Sequence, residues 1–322
     1  MLFHLAVPSV LAAALLLDAL IGDPRWLWAR LPHPVALLGR LIDRLDGRLN
    51  RRDAGTRRLR GAIVLIAVGA LAAAIGWLVA WFCHLLPFGW LIEAFAAAIL
   101  IAQRDLYDHV RRVARGLKDA GIAGGRVAVA HIVGRDPQSL DEAGVARAAV
   151  ESLAENFADG VVAPVFWFLI AGLPGMAAYK AVNTLDSMIG HRSDTHRDFG
   201  FASARVDDLV NWIPARLAAL IAVFGACFMA GTSPAEGWRA MRRDAPKHNS
   251  PNAGWPEAAF AGALGIAIAG PRRYAHETVD GAWMGAGGRA DVTPDDIDRA
   301  LRLYINACVI HGLIAVTVLS WV

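Results

Sequence analysis

The chain has 322 residues, of which 56% are hydrophobic and 19% are charged, and its mean hydropathy is +0.41. The charges cluster between long apolar runs, which is typical of a multi-span membrane protein and argues against one large soluble core. The net charge is only +3 and no basic tract carries interleaved aromatics, so nucleic-acid binding is not expected. The composition predicts an all-α, polytopic integral membrane protein with about five to six membrane segments. We interpret residues 1–322 as a single domain.

Three predicted spans lie near the N-terminus. Residues 1–21 carry no charged side chain except Asp18 and lack a basic leader region, so we interpret them as a retained first span. Residues 25–60 carry ten Arg against three acids, which places this loop on the cytoplasmic side. Residues 61–83 and 85–102 then form the two legs of a helical hairpin.

A polar helical region over residues 104–159 follows, with a break predicted at the glycines between Gly121 and Gly125. Residues 160–174 have no charge but contain Pro164 and Pro174, so the segment is predicted to be a broken or re-entrant helix. A second polar region covers residues 175–213.

The C-terminal part contains predicted spans at 214–233 and 303–322, separated by a polar region over 234–302. Residues 258–269 are rich in Ala and Gly, which favours close helix contact. The sides of the membrane on which 175–213 and 234–302 lie stay open, because they depend on whether 160–174 crosses.

The stretch 147–187 concentrates polar groups beside an apolar segment. Two sets of side chains each share a helix face by their spacing: Arg147, Glu151, Glu155 and Asp159 in the first, and Lys180, Asn183, Thr184 and Ser187, with Asp186 beside them, in the second. Two amphipathic helices whose polar faces are exposed to solvent, without any functional site, would show the same spacing. The neighbouring apolar run favours a functional site, because ionisable groups at membrane depth are costly.

Known catalytic signatures are absent from the sequence. There is no Walker A, G-x-G-x-x-G, H-E-x-x-H or G-x-S-x-G motif. Cys83, Cys227 and Cys308 lack ligand spacing, so we expect neither zinc nor haem. Acids, amides and arginines remain, and such a set can hold Mg²⁺ through one or two carboxylates plus substrate phosphates.

Several longer motifs together resemble the CobD/CbiB family, the adenosylcobinamide-phosphate synthases of cobalamin biosynthesis. They follow one another over nearly the whole chain: Asp18…Gly22-Asp23-Pro24…His33-Pro34-Val35, Arg147 to Gly160, Tyr179 to Gly190, Ala204 to Asp208, Pro214-Ala-Arg216 and Ser250 to Gly254. The chain departs from the family in two places. It has His191-Arg192 where such proteins usually carry Tyr and Lys after the glycine, and His196-Arg197-Asp198 where they usually carry another Tyr before Phe-Gly.

The resemblance implies a multi-pass enzyme of the cell inner membrane. It would join the free propionate carboxylate of adenosylcobyric acid to aminopropanol or its O-phosphate, with ATP and Mg²⁺ as co-substrates. The corrinoid, the amine and the lipid bilayer are the implied partners, and other late cobalamin-assembly membrane enzymes are further candidates.

Roles for single residues follow as hypotheses. Glu151, Glu155 and Asp159 are candidates to hold Mg²⁺ on ATP, with Asp207 and Asp208 as a second set. Lys180 and Arg216 would stabilise the transferred phosphoryl group, and Asp186 would accept the ammonium proton. The remaining substrate-binding candidates are His33, Asn156, Asn183, Thr184, Ser187 and Asn252. A turn-packing role stays open for His33, as does helix back-bonding for Thr184 and Ser187.

Two other functions compete with the enzyme. A transporter could use the intramembrane acids and the proline-broken segment, although two long polar regions and the lack of an internal repeat argue against it. A non-catalytic membrane regulator of the same fold would not need the whole polar set to be retained.

Overall fold

The computed structural model describes residues 2–51, 53–133, 136–191, 193–273, 278–279 and 281–321, and only the backbone of residues 2–7, 25, 272–273 and 278–279. The described residues confirm the all-α prediction. The α-helices in chain order are α1 (Leu2–Ile21), α2 (Arg25–Trp28), α3 (Pro34–Leu49), α4 (Ala54–His84), α5 (Gly89–Ala98), α6 (Gln103–Val129), α7 (Glu142–Phe157), α8 (Ala163–Ile189), α9 (Phe201–Val210), α10 (Trp212–Ala226), α11 (Pro234–Asp244), α12 (Gly254–Leu264) and α13 (Pro294–Trp321). Short 3₁₀ turns occupy Pro137–Ser139 and Ala245–Lys247, and a π-helical turn occupies Ala158–Val162.

Helices of membrane-spanning length and hydropathy match part of the predicted pattern. Among the described residues, three qualify: Ala54–His84, Glu142–Ile189 and Pro294–Trp321. α9 and α10 together would form a fourth, broken span, and the apolar helix Pro8–Ile21 is shorter. These are the helices of a multi-pass membrane protein. The predicted second hairpin leg, 85–102, contains only the ten-residue helix α5, and the side of the membrane for each loop stays a prediction.

The chain packs as two compact units, a division that the prediction of one domain did not include. The first unit comprises Met1–Ala102, Ala163–Asn211 and Ile314–Val322. The second comprises Gln103–Val162 and Trp212–Leu313.

In the first unit, α4 and α8 pack closely in antiparallel directions. A Cβ atom on Gly76 of α4 would lie 2.9 Å from the carbonyl oxygen of Leu173, so only glycine allows this approach. α8 itself is interrupted at Ala171 and Gly172, where Gly172 has φ +61°, just before Pro174. This break lies within the segment that the sequence predicted to be broken or re-entrant.

The second unit is built around a core formed mainly by α6, α7, α10, α12 and α13. α6 is kinked at Ala120 and Gly121, which confirms the predicted glycine break. α11 packs on α12 through small residues, since a Cβ on Gly262 would lie 2.5 Å from the Cβ of Ala240. This contact confirms the expectation that the small residues from 258 onwards permit close helix packing.

Four two-residue strands follow α12 and were not predicted. β1 (Ile268–Ala269) pairs antiparallel with β4 (Trp283–Met284), and β2 (Arg272–Arg273) pairs antiparallel with β3 (Thr278–Val279). The register places Ile268 opposite Met284 and Arg272 opposite Val279.

The loop after β4 is fixed by one buried carboxylate. Asp244, whose side chain is fully buried, accepts hydrogen bonds from Arg243 Nε and Nη2 at 2.9 and 2.7 Å and from the backbone N–H of Ala286 at 2.9 Å. Lys247 Nζ lies 3.2 Å from the same carboxylate. Burial alone would raise the pKa of Asp244, but these donors outweigh burial and hold that pKa below its usual value.

Candidate functional site

The first unit contains a buried polar network between the C-terminal half of α8 and α9. The hydroxyl of Tyr179 donates to Asn211 Oδ1 at 2.8 Å, and Asn211 Nδ2 donates to Asp207 Oδ2 at 3.0 Å. Asn183 Nδ2 donates to the other oxygen of Asp207 at 3.4 Å. Asp207 and Asn211 are 8% and 1% exposed. Both oxygens of this carboxylate are therefore held in a fixed orientation.

Two more carboxylates belong to this network. Asp186, on α8, interacts electrostatically with both Asp207 and Asp208, on α9. Like charges that are held close together in a partly buried site repel one another, so the arrangement favours a proton or a cationic group among them. A positively charged amine is one chemical species that would fit this acidic cluster.

The four side chains of the polar face predicted on α8 make different kinds of contact. Thr184 Oγ1 donates to the carbonyl of Lys180 at 2.7 Å, and Ser187 Oγ donates to the carbonyl of Asn183 at 2.9 Å. Both hydroxyls therefore make the back-bonding contacts that the sequence left open as an alternative. Lys180 lies at an apolar cavity of the first unit, and Asn183 joins the Asp207 network.

Glycines bring the ends of α8 and α9 together. A Cβ on Gly200, which precedes α9, would lie 1.6 Å from the carbonyl oxygen of Ile189 at the end of α8. A Cβ on Gly61 of α4 would lie 1.8 Å from the carbonyl oxygen of Phe199. Backbones can approach this closely only where a side chain is missing, so these glycines place Asp207 and Asp208 beside α8.

The residues that depart from the family pattern make structural contacts within the first unit. Asp198, 5% exposed, pairs with Arg58 Nε at 2.9 Å and with Arg57 Nη2 at 3.4 Å. His196 Nε2 lies 3.2 Å from Asp46 Oδ2. These pairs fix the loop between α8 and α9 to α3 through Asp46 and to the start of α4 through Arg57 and Arg58. Arg192 lies outside the described residues.

His33 is the N-cap residue of α3. Its Nδ1 accepts the backbone N–H of Val35 at 3.2 Å, and its Nε2 lies 3.4 Å from Asp23 Oδ1. The ring also packs edge-on against Trp28, with centroids 4.5 Å apart. These are the contacts of a capping and turn-packing histidine, the alternative that the sequence left open beside a corrinoid contact.

In the second unit, Arg216 lies between two indole rings. Its guanidinium is 4.6 Å from the ring centroid of Trp212 and 4.7 Å from that of Trp255. Nη1 donates to Asn252 Oδ1 at 2.8 Å and Nη2 to the carbonyl of Pro251 at 3.0 Å. The structure thus brings two predicted site residues, Arg216 and Asn252, into direct contact, and it fixes the plane of the guanidinium.

The three acids of the first predicted face are also in the second unit. Glu151 and Glu155 lie on α7 and are partly exposed, so their spacing on one face holds. Asp159 lies in the π-helical turn Ala158–Val162 that follows α7, and it is also partly exposed. Asn156 donates to the carbonyl of Ser152 at 2.9 Å.

No group of three or more His, Cys, Asp and Glu side chains is placed to hold a metal ion within the described part of the chain. The three acids therefore do not form a ready three-ligand site there. Mg²⁺ commonly uses only one or two carboxylates when substrate phosphates supply the other ligands, so the residues present fit an ion that arrives with a nucleotide.

Sequence reasoning missed four side chains that build these clusters. Tyr179 and Asn211 complete the Asp207 network, and Trp212 and Trp255 flank Arg216. The spacing of Asp207 and Asn211, one helical turn apart, was a usable signal. Arg216 and Trp212 have the same spacing on α10. The contacts of Tyr179 with Asn211 and of Trp255 with Arg216 join residues far apart in sequence, and one sequence alone carries no signal for them.

Comparisons with known proteins show the family to which the chain belongs. A family model described as "CobD/Cbib protein" matches residues 11–304. The chain belongs to the CobD/Cbib family. It is 50% identical over 312 residues to "Cobalamin biosynthesis protein CobD" of Sinorhizobium sp, covering 94% of each chain. Proteins of the same name from Brucella suis biovar 1 and Rhodobacter capsulatus are 51% and 48% identical, covering 92% and 96% of this chain and 91% and 97% of theirs. No solved structure matches the chain.

Proposed function

We propose that the protein is an ATP-dependent amide synthase of cobalamin biosynthesis, located in the cell inner membrane. It joins the free propionate carboxylate of adenosylcobyric acid to the amino group of aminopropanol or of its O-phosphate. The observation that carries the proposal is the similarity to relatives named for cobalamin biosynthesis, at about half identity over more than nine tenths of the chain.

The reaction needs activation of the carboxylate, because a carboxylate and an amine do not condense unaided at neutral pH. In the proposed sequence a propionate oxygen attacks the terminal phosphorus of ATP, which gives an acyl phosphate and ADP. The amine nitrogen then attacks the acyl carbon, phosphate leaves, and the nitrogen loses one proton. Product formation therefore consumes one ATP for each amide bond.

The acidic cluster of the first unit suits the amine. Asp186, Asp207 and Asp208 would attract the ammonium form, and Asp186 would accept its proton so that the nitrogen becomes nucleophilic. Asn183 would orient Asp207, to which it already donates a hydrogen bond.

The negative charge of the ATP phosphate groups must be balanced by cations and by hydrogen-bond donors. Glu151 and Glu155 would contribute carboxylates to Mg²⁺ on ATP, with Asp159 as a further candidate. Lys180 in the first unit and Arg216 in the second are separate candidates to stabilise the negative charge of a phosphoryl group during transfer. Arg216 is already oriented by its two indole neighbours and by Asn252.

One observation favours a second candidate, a membrane carrier. α8 is broken at Ala171–Gly172 within a helix of membrane-spanning hydropathy, and broken helices often form substrate sites in secondary transporters. A carrier would move a corrinoid without changing its mass.

The test uses purified protein in detergent with adenosylcobyric acid, ATP, Mg²⁺ and either aminopropanol or its O-phosphate. Mass spectrometry of the corrinoids should show a product heavier by the amine minus water, and only when ATP is present. The amine that gives product identifies the donor. If folded protein gives no product with either amine, the synthase assignment is wrong and uptake by proteoliposomes becomes the relevant measurement.

A further inference from the structure

Gly190 directly follows α8, beside the acidic cluster of Asp186, Asp207 and Asp208. A Cβ atom built on Gly190 would lie 1.9 Å from Asp186 Oδ1 and 2.8 Å from Asp186 Cγ. The φ angle of Gly190 is not positive, so its backbone conformation alone does not require glycine. The carboxylate of Asp186 therefore occupies the space that a side chain at this position would fill.

The side chain of Asp186 points toward the C-terminal end of α8. Gly190 lies one helical turn after Asp186, and its N–H donates to the carbonyl oxygen of Asp186 at 2.7 Å. Side chains on a helix normally lean toward the N-terminus. Asp186 can take the opposite direction because the next turn carries no side chain at the adjoining position.

α8 and α9 run antiparallel beside this carboxylate. Asn183 on α8 donates to Asp207 at 3.4 Å, and a Cβ on Gly200, just before α9, would lie 3.1 Å from Gly190 Cα. Asp186 lies between these two levels. The carboxylate of Asp207 is thus held level with Asn183, whereas that of Asp186 extends toward Gly190. The two acidic groups are kept apart along the helix axis.

We propose that Gly190 is a positioning residue, which keeps the carboxylate of Asp186 apart from that of Asp207 and so leaves room for an ammonium group between them. An ammonium group has three N–H donors, and two carboxylates that are held apart can accept from it on two sides. Two carboxylates in direct contact would instead share one proton. Asp186 also interacts electrostatically with Asp208 and with His191, which follows Gly190. The proposal rests on the proposed role of Asp186 as the group that accepts the proton of the amine.

A double-mutant cycle of melting temperatures tests the placement of the carboxylate without turnover. Gly190→Ala should lower the melting temperature of the full chain in detergent by about 2 °C or more, because the carboxylate of Asp186 is displaced. Asp186→Ala removes that carboxylate, so Gly190→Ala in this background should have little further effect. Gly69→Ala is the control, since a Cβ there has no atom within 4 Å and should have the same small effect in both backgrounds.

Turnover tests the consequence for the amine. Gly190→Ala should lower kcat by about a hundredfold, which a shift of about 1 Å in a reacting group can cost, and raise the KM for the amine while leaving the KM for ATP unchanged. Asp186→Asn should also lose activity. The double variant Gly190→Ala/Asp186→Asn should be no slower than Asp186→Asn alone, because the glycine acts only through the carboxylate. Gly69→Ala should turn over as the wild type does.

Three results would overturn the proposal. An equal change of melting temperature in both backgrounds, or loss of folding in both, would show that Gly190 does not act through this carboxylate. The carbonyl oxygen of Asp186, which would lie 2.7 Å from the same Cβ, is then the group that requires glycine. Losses of kcat that multiply in the double variant would show that Gly190 acts on another group. A wild type that forms no product with either amine would contradict the synthase assignment, and the melting temperatures would still decide whether Gly190 places the carboxylate.

Discussion

The carboxylate of Asp207, in the last turn of α9, and the side-chain amide of Asn211, the C-cap residue of that helix, form a hydrogen bond of 3.0 Å between two buried groups. Tyr179 orients the amide from α8, so the carboxylate is held by a chain of donors and not by a single contact. Such a network fixes one geometry when it is complete and becomes costly when one member is lost.

Asn211→Ala should lower the free energy of unfolding by about 1–3 kcal/mol, because it takes a donor away from a buried carboxylate. Tyr179→Phe removes only the hydroxyl that holds the amide, so its cost should be smaller, about 0.5–1.5 kcal/mol. Thermal unfolding of the purified proteins in one detergent gives the comparison. Equal and negligible effects of both changes would show that the network does not support the fold.

Gly200→Ala should be severely destabilising, by about 3 kcal/mol or more, since backbone rather than a flexible side chain occupies the space of the new Cβ. Gly69→Ala on α4 is the matched control. A Cβ on Gly69 would have no atom within 4 Å, so alanine there should be neutral or stabilise by about 0.5–1 kcal/mol.

Both glycine variants can be measured by expression level and melting temperature in the same detergent. If the Gly200→Ala protein has the same melting temperature as the wild type, α8 and α9 can separate without loss of stability.

Stability below neutral pH should depend on Asp244. Its folded-state pKa lies below the unfolded value of about 3.9. Its ionised form therefore contributes stability above that unfolded value, and this contribution is lost as the pH falls through the lower folded pKa. Asp244→Asn should lower the free energy of unfolding at pH 7 by about 2 kcal/mol. This is less than for a fully buried ion pair, because Arg243 and Lys247 are half exposed. The variant should also lose less stability than the wild type as the pH falls below about 4.

The measurement is the melting temperature of the wild type and of Asp244→Asn between neutral and acidic pH. Glu236→Gln is the control, because Glu236 pairs with Arg239 at an exposed position and such pairs contribute little. Identical pH profiles for the wild type and Asp244→Asn would rule out this carboxylate as a source of acid sensitivity.

Hydropathy located the apolar helices but not where they begin. The predicted span 61–83 lies inside α4, which starts at Ala54 because Asp53 caps it by accepting the N–H of Thr56 at 3.0 Å. Hydropathy reports which residues tolerate lipid, whereas capping determines where helical hydrogen bonding starts. The short strands β1–β4 were missed because two-residue strands depend on tertiary contacts and have no periodicity to detect.

The candidate site was predictable where helical spacing alone decides it. Glu151 and Glu155 share a face of α7 as expected, but the π-helical turn at Asp159 has no signature in the sequence. The indole neighbours of Arg216 lie in separate helices, and the contact with Trp255 depends on the packing of α10 against α12. Only the folded chain determines such contacts.

Glu155→Ala and Lys180→Ala should each abolish amide formation while leaving the protein inserted and folded. Removing one group that stabilises charge in a transition state typically lowers kcat by about a hundredfold or more. If Lys180 acts on the phosphoryl group only during transfer, kcat and kcat/KM should fall together with little change in KM. Lys180→Arg, which keeps the charge, should retain part of the activity.

The matched controls are Glu142→Ala and Lys118→Ala. Glu142 is an exposed acid at the start of α7, and Lys118 forms exposed ion pairs with Asp295 and Asp298. Both should retain near-wild-type turnover, measured as ATP-dependent corrinoid product by mass. Full product formation by the Glu155→Ala and Lys180→Ala proteins would show that neither residue takes part in the chemistry. The acidic cluster of Asp186, Asp207 and Asp208 would then be the remaining candidate site, because its carboxylates alone could bind and deprotonate the amine.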